Sequence, residues 1–525
     1  MIINRAQLLR SLKHFFNRFL RRPYLWLLGA IFLLSFIEHC LLNFLVGSIV
    51  LFDTTVPEGS IVYSVQAIGE GALYRDYQAP PHATTPYTPI YYYLTFILSK
   101  IIPVDGIDSI YYAGRLISYL SLLGSAALVG RLARHTGTSR SWSWGAFFVA
   151  LTVRWLLVWS CTCRPDLLGI CFSIAGVACY VCAQANVGKF SAMLLFLLAI
   201  FTKQSLISAP GAVALTLVLQ KKWADLVRLV AIVGGGVCAS VFALNFFTGG
   251  LFYQNIVVGN LAPVIFDQPG IFLWSFCCGA IVPIFFGGLG LLALRSSEGG
   301  AKTTILQLYV VTSLAWALIT SLKAGANLNY FVEPAFAIAM FSGLGLQTLY
   351  LQMRRKETIR VLGFAVLLLL FEFSRSRTWW IWFTDRPFMV SRSPVALINK
   401  ELEQYPGDIL FDDSGLAVHS GRNVLLLDNF NASYLADAGK INFEELVGRL
   451  ERQEISAVVT RRSIYDHIHY QLWWPRSVAF AINDRYSFAG QIGHHFRLYL
   501  PNDWPRKIST AKDGQEIVSP SKRNS

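Results

Sequence analysis

The sequence predicts an α-helical polytopic membrane protein, with about eleven transmembrane helices and a small C-terminal α/β domain outside the bilayer. Three observations carry this reading. Of 525 residues, 54% are hydrophobic and only 14% are Asp, Glu, Lys or Arg, against roughly 25% charged in a soluble domain. Apolar stretches of bilayer-spanning or nearly spanning length recur as far as 382. Beyond 385, hydropathy falls and short alternating patterns replace the long runs.

A basic segment, 1–23, precedes the first apolar run at 24–52. That run exceeds the ~7–15 residues of a signal-peptide core and no small-x-small cleavage site follows it, so it reads as a retained span. Further runs lie at 110–133, 143–160, 166–185, 190–203, 205–220, 226–247, 272–294, 304–322, 331–351 and 361–382. The short pair 190–203 and 205–220 fits tilted neighbours or a re-entrant pair. The whole makes a transmembrane domain over 24–384. Loops on one side hold nineteen Lys and Arg, among them Arg131, Arg134, Lys221 and Lys302, whereas the opposite loops hold five, Arg75, Lys100, Arg164, Lys203 and Lys323. This asymmetry places the N-terminus in the cytoplasm of a multi-pass inner (plasma) membrane protein, and an odd number of spans places everything after the last one in the periplasm or outside the cell. Part of the net charge of +14 is thus a topology signal. It calls for a lipid bilayer and not for a nucleic-acid partner.

Two external regions interrupt the spans. The first loop, 53–109, is far longer than an ordinary connection, which marks it as functional. Within it Tyr87–Pro103 is apolar but too short to span, and Tyr91, Tyr92 and Tyr93 suit a place along the membrane surface. The second region is the α/β domain, 385–505. Strands are expected at Asp408–Phe411, Asn423–Leu427, Ala457–Thr460 and His494–Leu500, and helices at Val395–Gln404 and Phe443–Arg452. The polar tail 506–525 has the composition of a disordered segment. Most of the nine cysteines sit inside apolar runs, and the Cys161-x-Cys163 pair lacks the companion ligands of a zinc site.

Charged groups are scarce in such a chain and are functional candidates by default. Asp53 and Glu58 follow the first span, with Arg75 and His82 later on the same loop. Arg164 and Asp166 stand in CRPDLL, Lys203 and Gln204 in FTKQS, and Lys323, Asn327, Asn329, Tyr330 and Glu333 in KAGANLNYFVEP. All these clusters face the outer side. Carboxylates and cations gathered on one membrane face can deprotonate an acceptor and neutralise a phosphate. Each also has a structural reading. Glu58 after Pro57 can cap a helix, Arg164 and Asp166 can pair around Pro165, Lys203 can snorkel, the asparagines can cap the next span, and His82 can serve packing alone. Tyr63, Tyr74 and Tyr87 have faces on which a sugar ring can stack.

The ordered strings EGALYRDYQAPP, TPYTPIYYYL, GRLIS at 114–118, RPDLLG at 164–169, TKQS at 202–205 and NYFVEP at 329–334, followed by DDSGLAVHSGRNV and NFEELVGRL, carry a family likeness. Over about residues 24–460 the chain resembles the integral-membrane glycosyltransferases of the GT-C class, in the broad bacterial group related to protein mannosyltransferases and aminoarabinose lipid A transferases. The resemblance implies a GT-C-like helical fold, a polyprenyl-phosphate sugar as donor, an acceptor (lipid, glycan or protein) entering from the periplasm, and a first-loop carboxylate as base. The base in those families is usually Asp. The matching position here is Glu58 in PEGSIVY, with Asp53 five residues earlier as the rival. Members of the class differ in whether a divalent metal assists, and no ligand cluster in the sequence marks one.

The chemistry also follows without the family. A sugar on polyprenyl phosphate carries an activated leaving group, so the protein must position an acceptor, take its proton and stabilise the departing phosphate. Lys203 and Arg164, with Arg75 as a lesser candidate, are assigned to the phosphate. Asp166, His82, Gln204, Asn329, Tyr330 and Glu333 are assigned to the substrate. A single displacement predicts inversion at the anomeric carbon. The rival class is a transporter or flippase of an amphipathic, lipid-linked substrate, against which stands the gathering of charge on one face instead of at the midplane.

Overall fold

The structure, a computed structural model, describes residues 58–183, 186–294, 300–355, 394–469, 474–492 and 496–504, with isolated positions at 33, 36, 37 and 363. Among the described residues, three helices are long and apolar enough to cross a membrane: Ile107–Thr136, Trp223–Phe247 and Lys302–Thr320. Two bent pairs, Gln268–Gly279 with Ile281–Leu294 and Leu328–Ala339 with Ser342–Gln352, each have the composition of one span. Shorter apolar helices run over Asp166–Cys182, Asn186–Thr202 and Ser208–Leu219. The chain is a helical membrane protein. The described residues do not establish a count of eleven spans, and Asp53, the tail 506–525 and nearly all of 24–52 and 361–382 lie outside them.

The expected span 143–160 is two pieces, Arg140–Ala150 and Leu156–Ser160. The turn between them meets an 83° bend, the one between Gln268–Gly279 and Ile281–Leu294. Pro283 lacks the N–H that would bond the Gly279 carbonyl, and its ring crowds that carbonyl. The freed Gly279 oxygen accepts the backbone N–H of Arg154 at 3.0 Å, from the turn that separates the two pieces. Inward, the bundle packs Leu122, Phe196, Phe286 and Phe336 into one apolar cluster. Phe242, Phe246 and Phe247 stay exposed on Trp223–Phe247, as lipid-facing positions do.

The first loop folds into helices Glu58–Ile68 and Ile90–Ser99. The three tyrosines do not share an interfacial face: Tyr91 and Tyr92 are fully buried and only Tyr93 is exposed. Consecutive helical positions turn by about 100°, so three in a row cannot point one way.

The C-terminal region forms a four-stranded sheet in the order β1-β2-β4-β3, with β1 Ile409–Phe411, β2 Ala457–Thr460, β3 Tyr486–Ile492 and β4 Phe496–Pro501. β1 and β2 are parallel, pairing Ile409 with Ala457, while β4 runs antiparallel to both β2 and β3. Every residue of β1 and β2 is buried. Helices at Pro394–Leu402 and Glu444–Glu451 match two expectations. The segment Asn423–Leu427, expected as a strand, is not one. The first loop uses its backbone instead: the Leu427 N–H donates to the Pro81 carbonyl at 3.1 Å, and its carbonyl accepts from the Ser60 hydroxyl at 3.3 Å. The loop and this domain also share apolar cores, Tyr77 packing in one cluster with Leu446 and Trp474. Gly59 permits the closest approach, since a Cβ there would stand 2.5 Å from the Ser414 carbonyl carbon.

Candidate functional site

Chain ends of the helices converge where the first loop meets the bundle. Asp166 opens the helix Asp166–Cys182, just after Pro165, which is fixed in a helix-compatible φ. Lys203 follows the end of Asn186–Thr202, and Asn329 and Tyr330 lie in the 3-10 turn Leu328–Phe331. These four, with Arg164, form one buried cluster. The Asp166 carboxylate accepts from Lys203 Nζ at 2.5 Å and Asn329 Nδ2 at 2.7 Å on one oxygen, and from Arg164 Nε at 3.1 Å on the other. Lys203 Nζ lies 4.4 Å from the centre of the Tyr330 ring, a cation–π contact. Arg164 also donates to the Tyr87 hydroxyl at 2.7 Å and lies over the Trp159 ring at 4.8 Å.

Two cations against one carboxylate leave this cluster with a net positive charge. Its hydrogen bonding is also incomplete. Among the described residues the side-chain carbonyl oxygens of Asn329 and Gln204 are buried without partners, although the Gln204 amide donates to the Pro86 carbonyl at 2.8 Å. Arg164 uses Nε and one Nη and has further N–H groups to offer an anion. Lys323 approaches the same wall: its ammonium donates to Asn260 at 3.2 Å, and Asn260 donates to Pro86 at 3.0 Å. Burial pulls the Lys323 amine down to about 8.

A second buried ion pair lies beside Cys163. Glu58, 0% exposed, takes Arg115 Nε at 3.0 Å on one oxygen and an Arg115 Nη at 3.1 Å on the other. Its first oxygen also accepts the Cys163 backbone N–H at 2.6 Å. Gly114 makes room for this approach, since a Cβ there would fall 2.1 Å from Cys163 Sγ. Arg115 stacks over Tyr111 at 5.1 Å, and Tyr111 stacks on His419 at the same distance. His419 Nε2 lies 3.1 Å from Asp108. The C-terminal domain is thereby fastened beside the Glu58 pair.

The structure brings Arg164, Asp166, Lys203, Asn329 and Tyr330 together, with Gln204 alongside. Glu333 sits one step away, accepting from the Tyr309 hydroxyl at 2.8 Å. The remaining candidates are engaged elsewhere. Arg75 pairs with Glu70 and donates to the Tyr63 hydroxyl at 3.0 Å. His82 is buried edge-on against Phe443, with Nδ1 3.2 Å from the Tyr77 carbonyl, and burial lowers its pKa. Asn327 caps the turn, accepting from the Leu328 N–H at 2.7 Å. Sequence reasoning missed Arg115 as the partner of Glu58, although a lone arginine inside an apolar helix is itself a signal of a buried partner. Among the described residues no group of three or more His, Cys, Asp or Glu is placed to hold a metal ion.

No protein-family profile matches the sequence, and no curated protein matches it. Solved structures do match. ArnT from Cupriavidus metallidurans bound to undecaprenyl phosphate aligns over 91% of this chain and 98% of its own, at 11% identity and a TM-score of 0.57. The apo state of the same protein gives 12% identity over 89% and 97% of the two chains, with a TM-score of 0.59. The Archaeoglobus fulgidus oligosaccharyltransferase in complex with Zn and sulfate gives 12% identity over 89% of this chain and 73% of its own, with a TM-score of 0.53. ArnT, an aminoarabinose lipid A transferase, and the oligosaccharyltransferase are both GT-C glycosyltransferases, and their fold is the fold of this chain.

Proposed function

We propose that the protein moves a sugar from a polyprenyl-phosphate donor to an extracytoplasmic acceptor, with inversion. The observation that carries this reading is the buried Arg164–Asp166–Lys203–Asn329 cluster at the loop end of a GT-C bundle. Arg164 and Lys203 take the donor phosphate, and Asp166 and Asn329 hold the two cations in place. The unpartnered Asn329 and Gln204 oxygens accept from sugar hydroxyls. The acceptor heteroatom attacks the anomeric carbon. The bond from that carbon to the phosphate oxygen breaks, and the polyprenyl phosphate leaves with the electron pair toward the two cations. The acceptor's proton passes to a first-loop carboxylate.

Two carboxylates compete for that role. Glu58 has both oxygens occupied by Arg115 and the Cys163 N–H, and a carboxylate so engaged is poorly placed to take a proton. We therefore give the base to Asp53 and make Glu58 a positioning residue that anchors the loop. Transfer from radiolabelled polyprenyl-phosphate sugars, assayed in membranes with wild type, Asp53→Asn and Glu58→Gln, tests both parts. The expected result is transfer by wild type and a loss of at least ~100-fold in Asp53→Asn at unchanged protein level. Absence of turnover with every donor, together with donor movement across vesicle membranes, would instead favour a transporter.

A further inference from the structure

The proposed chemistry leaves one charged cluster unused, at the opposite end of the bundle. Three helices connect the two ends. Ile107–Ala133 carries Arg115 near its start and Arg131 near its finish, Asp166–Cys182 runs from Asp166 to Cys182, and Ala301–Thr320 leads from Lys302 toward Lys323. Arg115 to Arg131 (131 − 115) and Asp166 to Cys182 (182 − 166) are each 16 residues, about 24 Å of helix at 1.5 Å per residue.

Arg131, Arg134, His135, Cys182 and Lys302 line a cavity of about 620 Å³, a volume usual for a small-ligand site. The His135 ring is fixed in its wall, with Nε2 3.3 Å from Cys182 Sγ and the backbone carbonyl accepting from Thr303 at 3.3 Å. Lys302, Arg131 and Arg134 are exposed and line the same cavity as that imidazole. Among the described residues none of the three has a carboxylate at ion-pair distance. Lys302 also stands in the first turn of a 20-residue helix, where a cation opposes the helix dipole unless an anion is present. The orientation rule accounts for basic residues at this end of the bundle. It does not require three of them to line one cavity with no carboxylate, among the described residues, at ion-pair distance.

We propose that this cavity binds a phosphate group, carried by an anionic lipid headgroup or free in solution. Arginine forks and a lysine ammonium supply the donors that phosphate oxygens take, and the anion brings a counter-charge to the three cations. The lipid source fits a cavity at the end of apolar helices, where headgroups lie.

The test is thermal unfolding of the full-length protein in neutral detergent, titrated separately with phosphatidylglycerol, with a phosphate-free glucosyl diacylglycerol and with inorganic phosphate. Saturable stabilisation by phosphatidylglycerol alone assigns the lipid source, and stabilisation by inorganic phosphate as well assigns the free anion. In the combined Arg131→Gln, Arg134→Gln, Lys302→Gln variant the midpoint should rise at least ~10-fold. Lys302→Gln alone, at an exposed position, should raise it roughly 3-fold and keeps the test open if the triple variant does not fold. Equal titration of wild type and variants, or no response of wild type to either phosphate source, overturns the proposal.

Discussion

Two buried ion clusters lie at the same end of this bundle, and they are built on opposite principles. In the Glu58–Arg115 pair charge meets charge: among the described residues the carboxylate meets the guanidinium in a two-pronged contact and also accepts a backbone N–H. The Asp166 cluster is unbalanced, with two cations on one carboxylate and amide oxygens left without partners. Buried charges are costly unless matched, so under the proposed function the paired carboxylate serves the architecture and the cluster with excess positive charge takes the donor phosphate. The first ties the loop and the C-terminal domain to the bundle through Tyr111 and His419. The second is where we propose that the donor phosphate is held.

Breaking the Glu58–Arg115 pair should cost most. Glu58→Gln leaves the Arg115 charge buried and should destabilise the fold by about 3–5 kcal/mol, measured by denaturant unfolding in detergent. Adding Arg115→Met should return part of that loss, so that the double variant is less destabilised than the two single variants summed. An unbroken fold in Glu58→Gln would show that the pair is not structural.

The C-terminal domain offers a pH-dependent contrast. Burial pushes the Asp412 carboxyl up to about 7, from a reference near 4. Between about pH 4 and 7 the unfolded state loses this proton while the folded state keeps it, so stability falls as pH rises and levels off above 7. The contribution is at most about 1.4 kcal/mol per pH unit. A pH series of unfolding midpoints should lose that slope in Asp412→Asn. In the open cluster, Asn329→Leu should lower kcat/KM for sugar transfer by roughly 10-fold, the loss of one hydrogen bond to a charged group. The smallest effect is expected at Arg75, whose pair with Glu70 is partly exposed. Arg75→Ala should change stability by less than about 1 kcal/mol and leave transfer nearly unchanged.

The open cluster was legible in the sequence because charge is rare in this chain. Arg164, Asp166, Lys203 and Asn329 stand at the ends of apolar runs, and odd and even runs put those ends on one side. Pairing inside the bundle was harder to read: nothing local links Glu58 to Arg115, 57 residues apart. Helix Ile107–Ala133 and strands β1 and β2 have clear apolar patterns and were expected within a few residues. Strand β3 was missed because its middle is exposed and only its ends are buried, which erases the alternation. Asn423–Leu427 has a strand's composition, but its last residue bonds to Pro81 and Ser60 across a tertiary contact that no local pattern encodes. At the break in 143–160 the Arg154 N–H bonds to the Gly279 carbonyl, a partner far along the chain that no local pattern encodes.

The most direct test of the account is steady-state transfer from a radiolabelled polyprenyl-phosphate sugar by wild type and Lys203→Met, compared at equal amounts of folded protein in membranes. The account predicts that kcat/KM falls at least ~100-fold, about 2.7 kcal/mol of lost transition-state stabilisation, while the stability of the fold changes less than in Glu58→Gln. Transfer by Lys203→Met at the wild-type rate would contradict it, because the unbalanced cluster would then not be where the departing phosphate is held.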